Sequence, residues 1–496
     1  MIKIGNKVEK VQKNFWNNCL FHPTDAVEDA WGKRILDKMA EDKAINTVRI
    51  YTMLEDIVYL DEDGNLQYDF RVSDLRIDYL LEKGYNLILA YGGMPDCIAS
   101  SVANKSSMSK NKTRYKGKLW NTAPPKSYAL WEEVCYEYTK HNVERYGIET
   151  VSKWYCHCHN EPDSKAFFLF ECSKGAENAE VIRLPVYCKL YEAFEKGVKR
   201  VSDKIKVGGP ALARYNNFLG GFLDYVKKNG LKLDYIAVHN YGTEPYRINN
   251  GSTPIAVSNN VKVQKEYAET IKEHGFLGVP IVVDEWGFST GGYMNVENCP
   301  ELIKRETEMF SAYFAKLIHE FVYSDFKIDL LAICLSGQHE MVTDFSGFRN
   351  FFTLNFIKKP IYNAYILASK LGESLLTKES DRENIFVVPT KNEKEDYAIL
   401  ISYSDKYMTE NLPEIEETIE FEQDISDKTV TIWCIDKEHT NPYRMFEKMG
   451  VEEPDAGQIK LLREEGKMKP VKVQKGSEKI SLKLTANATF LVTVEA

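Results

Sequence analysis

Over the first 370 residues, short apolar runs alternate with longer segments whose apolar residues recur at helical spacing. The runs are KNFWNNCLF (14–22), NTVRIYT (46–52), NLILAYGG (86–93), WYCHCHNE (154–161), IKVGGPA (205–211), LDYIAVHNYG (233–242), VPIVVDEWG (279–287) and IDLLAICLSG (328–337). Between them, segments such as AWGKRILDKMAED, SYALWEEVCYEYTKHNVERYG, PVYCKLYEAFEKGVKRVSD and RETEMFSAYFAKLIHEFV each carry an apolar helical face. Eight such β-then-α units over roughly 350 residues predict a (β/α)8 TIM barrel of the α/β class with insertions.

After about residue 370 the period changes. IFVVPTK, DYAILISYS, EETIEFEQD, KTVTIWCID and ATFLVTVEA read as short strands separated by charged turns, which predicts a β-sandwich of about 120 residues. The expected division is a catalytic barrel over 13–370 and an accessory sandwich over 371–496, joined by a strand from 1–12. No internal repeat or low-complexity linker separates them, so the two domains are expected to pack together.

Composition narrows the function. The chain has 496 residues, 44% hydrophobic and 12% aromatic, enough for a large core. Its net charge is 64 − 73 = −9, spread along the chain, which argues against nucleic acid as a partner. One basic stretch, KSSMSKNKTRYKGK (105–118), reads as a solvated loop. The N-terminus has no apolar signal core, and no run of about 18 apolar residues exists, so neither secretion nor a membrane span is expected and a cytoplasmic protein is. Ten scattered cysteines without a C-x-x-C pair fit buried free thiols.

Barrel enzymes place their chemistry where strands end. Two strand ends finish in carboxylates: His159-Asn160-Glu161-Pro162-Asp163 after the fourth strand, and Val283-Asp284-Glu285-Trp286-Gly287 after the seventh. A barrel brings both to one rim. Paired carboxylates flanking a bond are what glycoside hydrolysis requires: one protonated to release the leaving alcohol, one ionised to attack the anomeric carbon. The run Cys156-His157-Cys158-His159 also invites a metal reading. In a strand, however, the two cysteines point one way and the two histidines the other, so the four cannot converge on one tetrahedral ion. The cysteines are expected to pack against helices or the barrel core, with His157 or His159 reaching the pocket, and no metal or cofactor is expected.

With those two motifs in order, DEDGNLQYDF (61–70), LLEKGYNLILAYGGMPDCIAS (80–100), APPKSYALWEEVCYEYTKHNVERYG (123–147), VGGPALA (207–213) and FRNFFTLNFIKKPIYNAYILASKLG (348–372) resemble glycoside hydrolase family 39, in the clan of retaining barrel glycosidases, over roughly residues 25–370. The resemblance implies that Glu161 is the acid/base and Glu285 the nucleophile. It implies that Asn160 hydrogen-bonds the sugar 2-hydroxyl, and that His239 and Tyr241 approach the nucleophile and the sugar. The recognition shell departs from the family. His159 stands where a Trp precedes Asn-Glu-Pro, and Arg49-Ile50-Tyr51 replaces Arg-Phe-His, so a sugar-binding His becomes Tyr51. AICLSGQHEM lacks the strand-eight Trp and offers His339 and Glu340 where a Glu pair follows. Trp286 is either packing or a stacking surface for the sugar; Trp120 covers the pocket or anchors its loop.

The expected protein is a retaining, exo-acting glycosidase on short oligosaccharides. Pentosides lead by resemblance to β-xylosidases, with arabinosides, galactosides and uronides open. Bacterial xylosidases of the family are often tetrameric, so a homo-oligomer is the implied assembly. The rivals are a carbohydrate-binding protein with a decayed site, against which both carboxylates argue, and a metal-dependent barrel hydrolase.

Overall fold

Eight parallel strands close into a barrel in the computed structural model, which describes residues 1–103, 105–107, 119–170, 179–292 and 294–496. They are β1 (Asn18–Phe21), β2 (Thr47–Tyr51), β3 (Asn86–Tyr91), β4 (Tyr155–Cys158), β5 (Lys206–Leu212), β6 (Tyr235–Thr243), β7 (Ile281–Ser289) and β8 (Ile328–Leu335). Each pairs with the next, and β8 pairs back onto β1. One main helix follows each strand; the first is Ala30–Glu41 and the last Pro360–Ala368. Ala30–Glu41 starts because Asp29 caps it, accepting from Trp31 N at 2.9 Å and Gly32 N at 3.1 Å. It buries Trp31, Ile35, Leu36 and Met39 against the barrel.

Alternation decides which side chains enter the barrel. On β2, Val48 and Ile50 join the core shared with the helices, while Arg49 and Tyr51 turn inward. On β4, Cys156 and Cys158 join that same helix-side core and His157 turns inward, so this run does not gather four ligands at one point.

β7 breaks the rule. Val238 on β6 pairs with Val283, but His239 pairs with Glu285; on the other side Val283 pairs with Leu331 and Trp286 with Ile333. One extra residue has entered β7 at Asp284, the signature of a β-bulge. Strict alternation would send Asp284 and Trp286 inward and Glu285 outward. The bulge lets both Asp284 and Glu285 face the interior and turns Trp286 out, where it stacks on Phe314 with ring centroids 5.6 Å apart.

The accessory domain is one nine-stranded sheet that curls around its own apolar core. The five anticipated strands lie at Ile385–Lys391, Tyr397–Tyr403, Ile415–Phe421, Thr429–Ile435 and Ala488–Glu495. The N-terminal strand Ile2–Val11 runs antiparallel to Ser374–Ser380 and parallel to Ile415–Phe421. Ser374–Ser380, Pro470–Lys475 and Ile480–Leu484, with the helices Pro442–Met449 and Ala456–Glu465, complete it. These escape a hydrophobicity scan because charged side chains interrupt their apolar pattern.

The sheet is fastened to the helix after β7, Glu308–Val322. Ser402 Oγ donates to Ala312 O at 3.1 Å, and Arg444 pairs with the buried Glu308 at 2.7 Å. That helix also carries Phe314, so the domain contact and the support of β7 share one element.

Most of the basic stretch 105–118 lies outside the described residues, and so does the side chain of Trp120. Among the described residues, nine cysteines are free, and no helix is long and apolar enough to cross a membrane.

Candidate active site

Glu285 sits at the inner end of β7 beneath a cavity of about 770 Å3. Arg49 Nη1 donates to its Oε1 at 2.7 Å, Tyr51 donates to the same oxygen at 3.3 Å, and Tyr241 donates to Oε2 at 2.8 Å. Arg349 Nη1 in turn donates to the Tyr241 hydroxyl at 2.8 Å. Burial alone would push the Glu285 carboxyl up, but the charges of His239 and Arg49 outweigh it and hold the group below its ordinary value. It stands ionised.

Glu161 arrives by a different route. After β4 the backbone turns left-handed at His159 (φ 65°) and again at Glu161 (φ 46°). Such non-glycine conformations cost energy and survive where the surroundings impose them. Here His159 N donates to Tyr91 O at 2.8 Å, and Glu161 N donates to Ala211 O at 2.9 Å. The turn puts the Glu161 carboxyl over the barrel, 3.0 Å from His239 Nδ1. Burial pushes Glu161 up, partly offset by His239. His239 stands between the carboxylates, with Nε2 3.6 Å from Glu285 Oε1. One oxygen of Glu161, one of Glu285 and a His239 nitrogen all lie within 4.8 Å of one another.

Several residues anticipated at the sugar sit elsewhere. Trp286 is fully buried on the outer side of β7, where its indole N–H donates to Tyr365 at 3.2 Å. His159 is buried and tied to Phe167 O at 3.1 Å, because the left-handed turn swings it off the inward course that alternation predicts. Arg49 is fully buried below the cavity and acts on Glu285 and on Asn160, whose Oδ1 accepts from Nη2 at 2.6 Å. His339 lies 3.4 Å from Asp29, the cap of the first barrel helix, and is not among the residues around the cavity. The Glu340 side chain lies outside the described residues. Tyr51, His239 and Tyr241 do line the cavity. Among the described residues, the amide nitrogen of the fully buried Asn160 has no hydrogen-bond partner.

Other lining groups were not anticipated. Asp25 and His22 follow β1, Ser336 follows β8, and Arg349 comes from the loop beyond. Added bulk at Gly292 would displace the Arg349 guanidinium, since a Cβ there falls 1.9 Å from Nη2. Arg214 and Arg247 flank Glu244 on the Glu161 side. None forms a motif; the available signal was only polar residues just past strand ends, in FHPTD and FRN.

Two carboxyl groups this close, one raised and one lowered, delivered by β4 and β7 to one barrel mouth, match what a retaining glycosidase needs. The family model for glycosyl hydrolases family 39 matches residues 2–480. The chain belongs to that family. Family 39 enzymes are retaining glycosidases, and this chain is one. A β-xylosidase of Caldicellulosiruptor saccharolyticus is 27% identical over 469 residues, covering 90% of this chain and 87% of the relative. A β-xylosidase of Geobacillus stearothermophilus is 24% identical, covering 76% and 72%. Among solved structures, a monomeric β-xylosidase from Caulobacter crescentus superposes with a TM-score of 0.81 at 18% identity, covering 100% of this chain and 99% of that one. The family 39 fold, barrel with appended sandwich, is therefore shared.

Proposed function

We propose that this family 39 enzyme removes a terminal sugar from short oligosaccharides by double displacement, with Glu285 as nucleophile and Glu161 as acid/base. The observation that carries the reading is the approach of the two carboxyl groups, with oxygens within 4.8 Å. An inverting enzyme needs roughly 6.5–9.5 Å between carboxyls to seat a water; a retaining one needs about 5–5.5 Å.

In the first step a Glu285 oxygen attacks the anomeric carbon. The bond to the leaving oxygen breaks, its electron pair stays with that oxygen, and the Glu161 proton passes to it. In the second step the Glu161 carboxylate takes a proton from water as the water oxygen attacks the same carbon, releasing Glu285. Arg49 and Tyr241 hold Glu285 ionised and aimed. The Asn160 amide nitrogen, unpartnered among the described residues, is assigned as the donor to the sugar 2-hydroxyl, as the family resemblance implies. The residues themselves hold and move both protons. Glu161, His239 and Glu285 are close enough to clasp a cation, but each already has a role and a partner in this reading.

The sugar follows from the walls. The β-xylosidase relatives make pentosides the leading class. The end of β8 offers Cys334, Leu335 and Ser336 here, with no aromatic ring, while Asp25 and Arg349 supply an acceptor and donors. The reading is a pocket with room for more than an unsubstituted xylopyranose, in which simple β-xylosides are weak substrates. The test is kcat/KM for aryl β-xyloside against arabinosides, galactosides and uronides, with the anomer of the first-formed product followed by NMR. Retained configuration and a better substrate than the xyloside are expected. A product of inverted configuration refutes the mechanism, and a tenfold lead for the xyloside refutes the reading of the walls.

A further inference from the structure

Behind Glu285 lies a third buried carboxylate that the double displacement does not use. Asp284 is fully buried. Its Oδ2 is 2.8 Å from Arg49 Nε and 3.2 Å from His157 Nε2, and its Oδ1 is 3.7 Å from His239 Nε2. Among the described residues neither oxygen accepts an aligned hydrogen bond, because Arg49 Nε points its hydrogen at His157 Nε2, 3.2 Å away. Asp284 therefore acts on its neighbours through charge.

The charges around it do not balance without help. Among the described residues Arg49 is the arginine in direct contact with Asp284 and Glu285, while Arg349 reaches Glu285 only through Tyr241, so with Glu161 protonated the groups in direct contact carry one net negative charge. His157 accepts from Arg49 and is driven neutral by burial. His239 is left to supply the positive charge, and its Nε2 faces both Asp284 and Glu285. If Asp284 were neutral, the fully buried imidazole would keep only Glu285, already paired with Arg49, as an ionised partner while Glu161 is protonated.

We propose that Asp284 is a positioning residue for the acid/base step: its buried carboxylate is the counter-ion that holds a proton on His239, which in turn stabilises the Glu161 carboxylate formed as the leaving group takes its proton. The inference rests on the assignment of Glu161 as acid/base. The other groups facing His239 are Arg49 and Tyr51 from β2, His157 from β4, Asp163 beyond Glu161, and Tyr241 on its own strand. Tyr267, from the helix Val257–Glu273, bonds its backbone carbonyl. Arg49 and His157 disfavour a charge on His239, and the carboxylates favour it. Burial lowers His239, yet Glu285, Asp284 and, when ionised, Glu161 outweigh it and raise the group to about 9.

The direction of the effect follows. Glu161 is needed as an acid in the first step, so the basic limb of kcat/KM reports its deprotonation. A protonated His239 makes Glu161 a stronger acid. Asp284→Asn removes the counter-ion, His239 loses its proton near neutrality, and Glu161 weakens. The basic limb then moves up by about one pH unit. Cleavage of sugar or alkyl leaving groups falls about 100-fold, while a dinitrophenyl glycoside, which needs little protonation, falls less than about tenfold.

The experiment is that pH and leaving-group comparison on Asp284→Asn of the full chain. Equal losses on both substrates with an unmoved basic limb overturn the proposal. If the variant does not fold, 15N NMR of histidine-labelled wild-type enzyme decides, with His239 identified by its loss in His239→Gln. A doubly protonated His239 at pH 7 supports the proposal, and a neutral one overturns it. Glu161→Ala, tested for azide rescue, separates the two levels. If azide does not rescue it, the acid/base reading itself falls. If azide rescues it but Asp284→Asn shows no leaving-group dependence, only this inference falls.

Discussion

β4 and β7 deliver one glutamate each to the same cavity, and they do so by opposite departures from regular strand geometry. β4 ends in two left-handed residues that swing Glu161 over the barrel. β7 instead takes in an extra residue, which brings Glu285 inward from a strand that continues to Ser289. The surroundings differ as much as the routes. Among the described residues the Glu161 side chain meets one hydrogen-bond partner, His239, at 3.0 Å. Glu285 is gripped by Arg49, Tyr51 and Tyr241. Burial acts on both; it wins at Glu161 and loses at Glu285. Two identical side chains are shifted in opposite directions because Arg49, Tyr51 and Tyr241 converge on Glu285, whereas His239 only partly offsets burial at Glu161.

The sharpest way to break the comparison is to truncate each carboxylate. Glu285→Ala is expected to cut turnover of every substrate by at least about 10⁵-fold, since no covalent intermediate can form. Glu161→Ala is expected to cost about 10²–10⁴-fold on unactivated glycosides and far less in the first step of a dinitrophenyl glycoside. Azide should restore its second step and yield a glycosyl azide. Steady-state and burst kinetics read both, and matching losses on both substrates in both variants would erase the proposed division of roles.

A milder perturbation works on the grip rather than on the carboxylates. Tyr241→Phe removes one hydrogen bond to an ionised group, worth about 1.5–3 kcal/mol, so kcat/KM should fall about 10–100-fold. Glu285 then loses a donor that favours its charged form. Its pKa rises, and the acidic limb of the pH profile moves to higher pH. An unmoved acidic limb would mean that the charges of His239 and Arg49 keep Glu285 ionised without Tyr241.

The smallest effect is expected at Trp286, one residue beyond Glu285 but on the other face of β7. Trp286→Phe should leave kcat/KM within about threefold while lowering the melting temperature. The indole loses its bond to Tyr365 and part of its packing on Phe314, together about 1–3 kcal/mol. A large rise in KM with unchanged melting would place the ring against the sugar after all.

Hydrophobic periodicity is a local property, and what it governs was legible. The eight strand runs, the helices between them and the change of period near residue 370 follow from residues a few positions apart. Glu161 and Glu285 were legible for the same reason. Each ends a recognisable strand run, so barrel closure brings both to one rim, while the inward turn of Glu285 depends on the bulge at Asp284. The inward course of His157 and the outward course of both flanking cysteines also came straight from alternation.

Side-chain direction past a strand end is not local. One inserted residue at Asp284, defined only by pairing with both β6 and β8, exchanges the faces of Glu285 and Trp286. The turn that removes His159 from the pocket is held by carbonyls of Tyr91 and Ala211, on neighbouring strands. Arg49 looks like a sugar ligand in the sequence and becomes the floor beneath Glu285 because strands two, four and seven converge on it. Register across the barrel, not composition along the chain, decides whether these charged groups meet the substrate or one another.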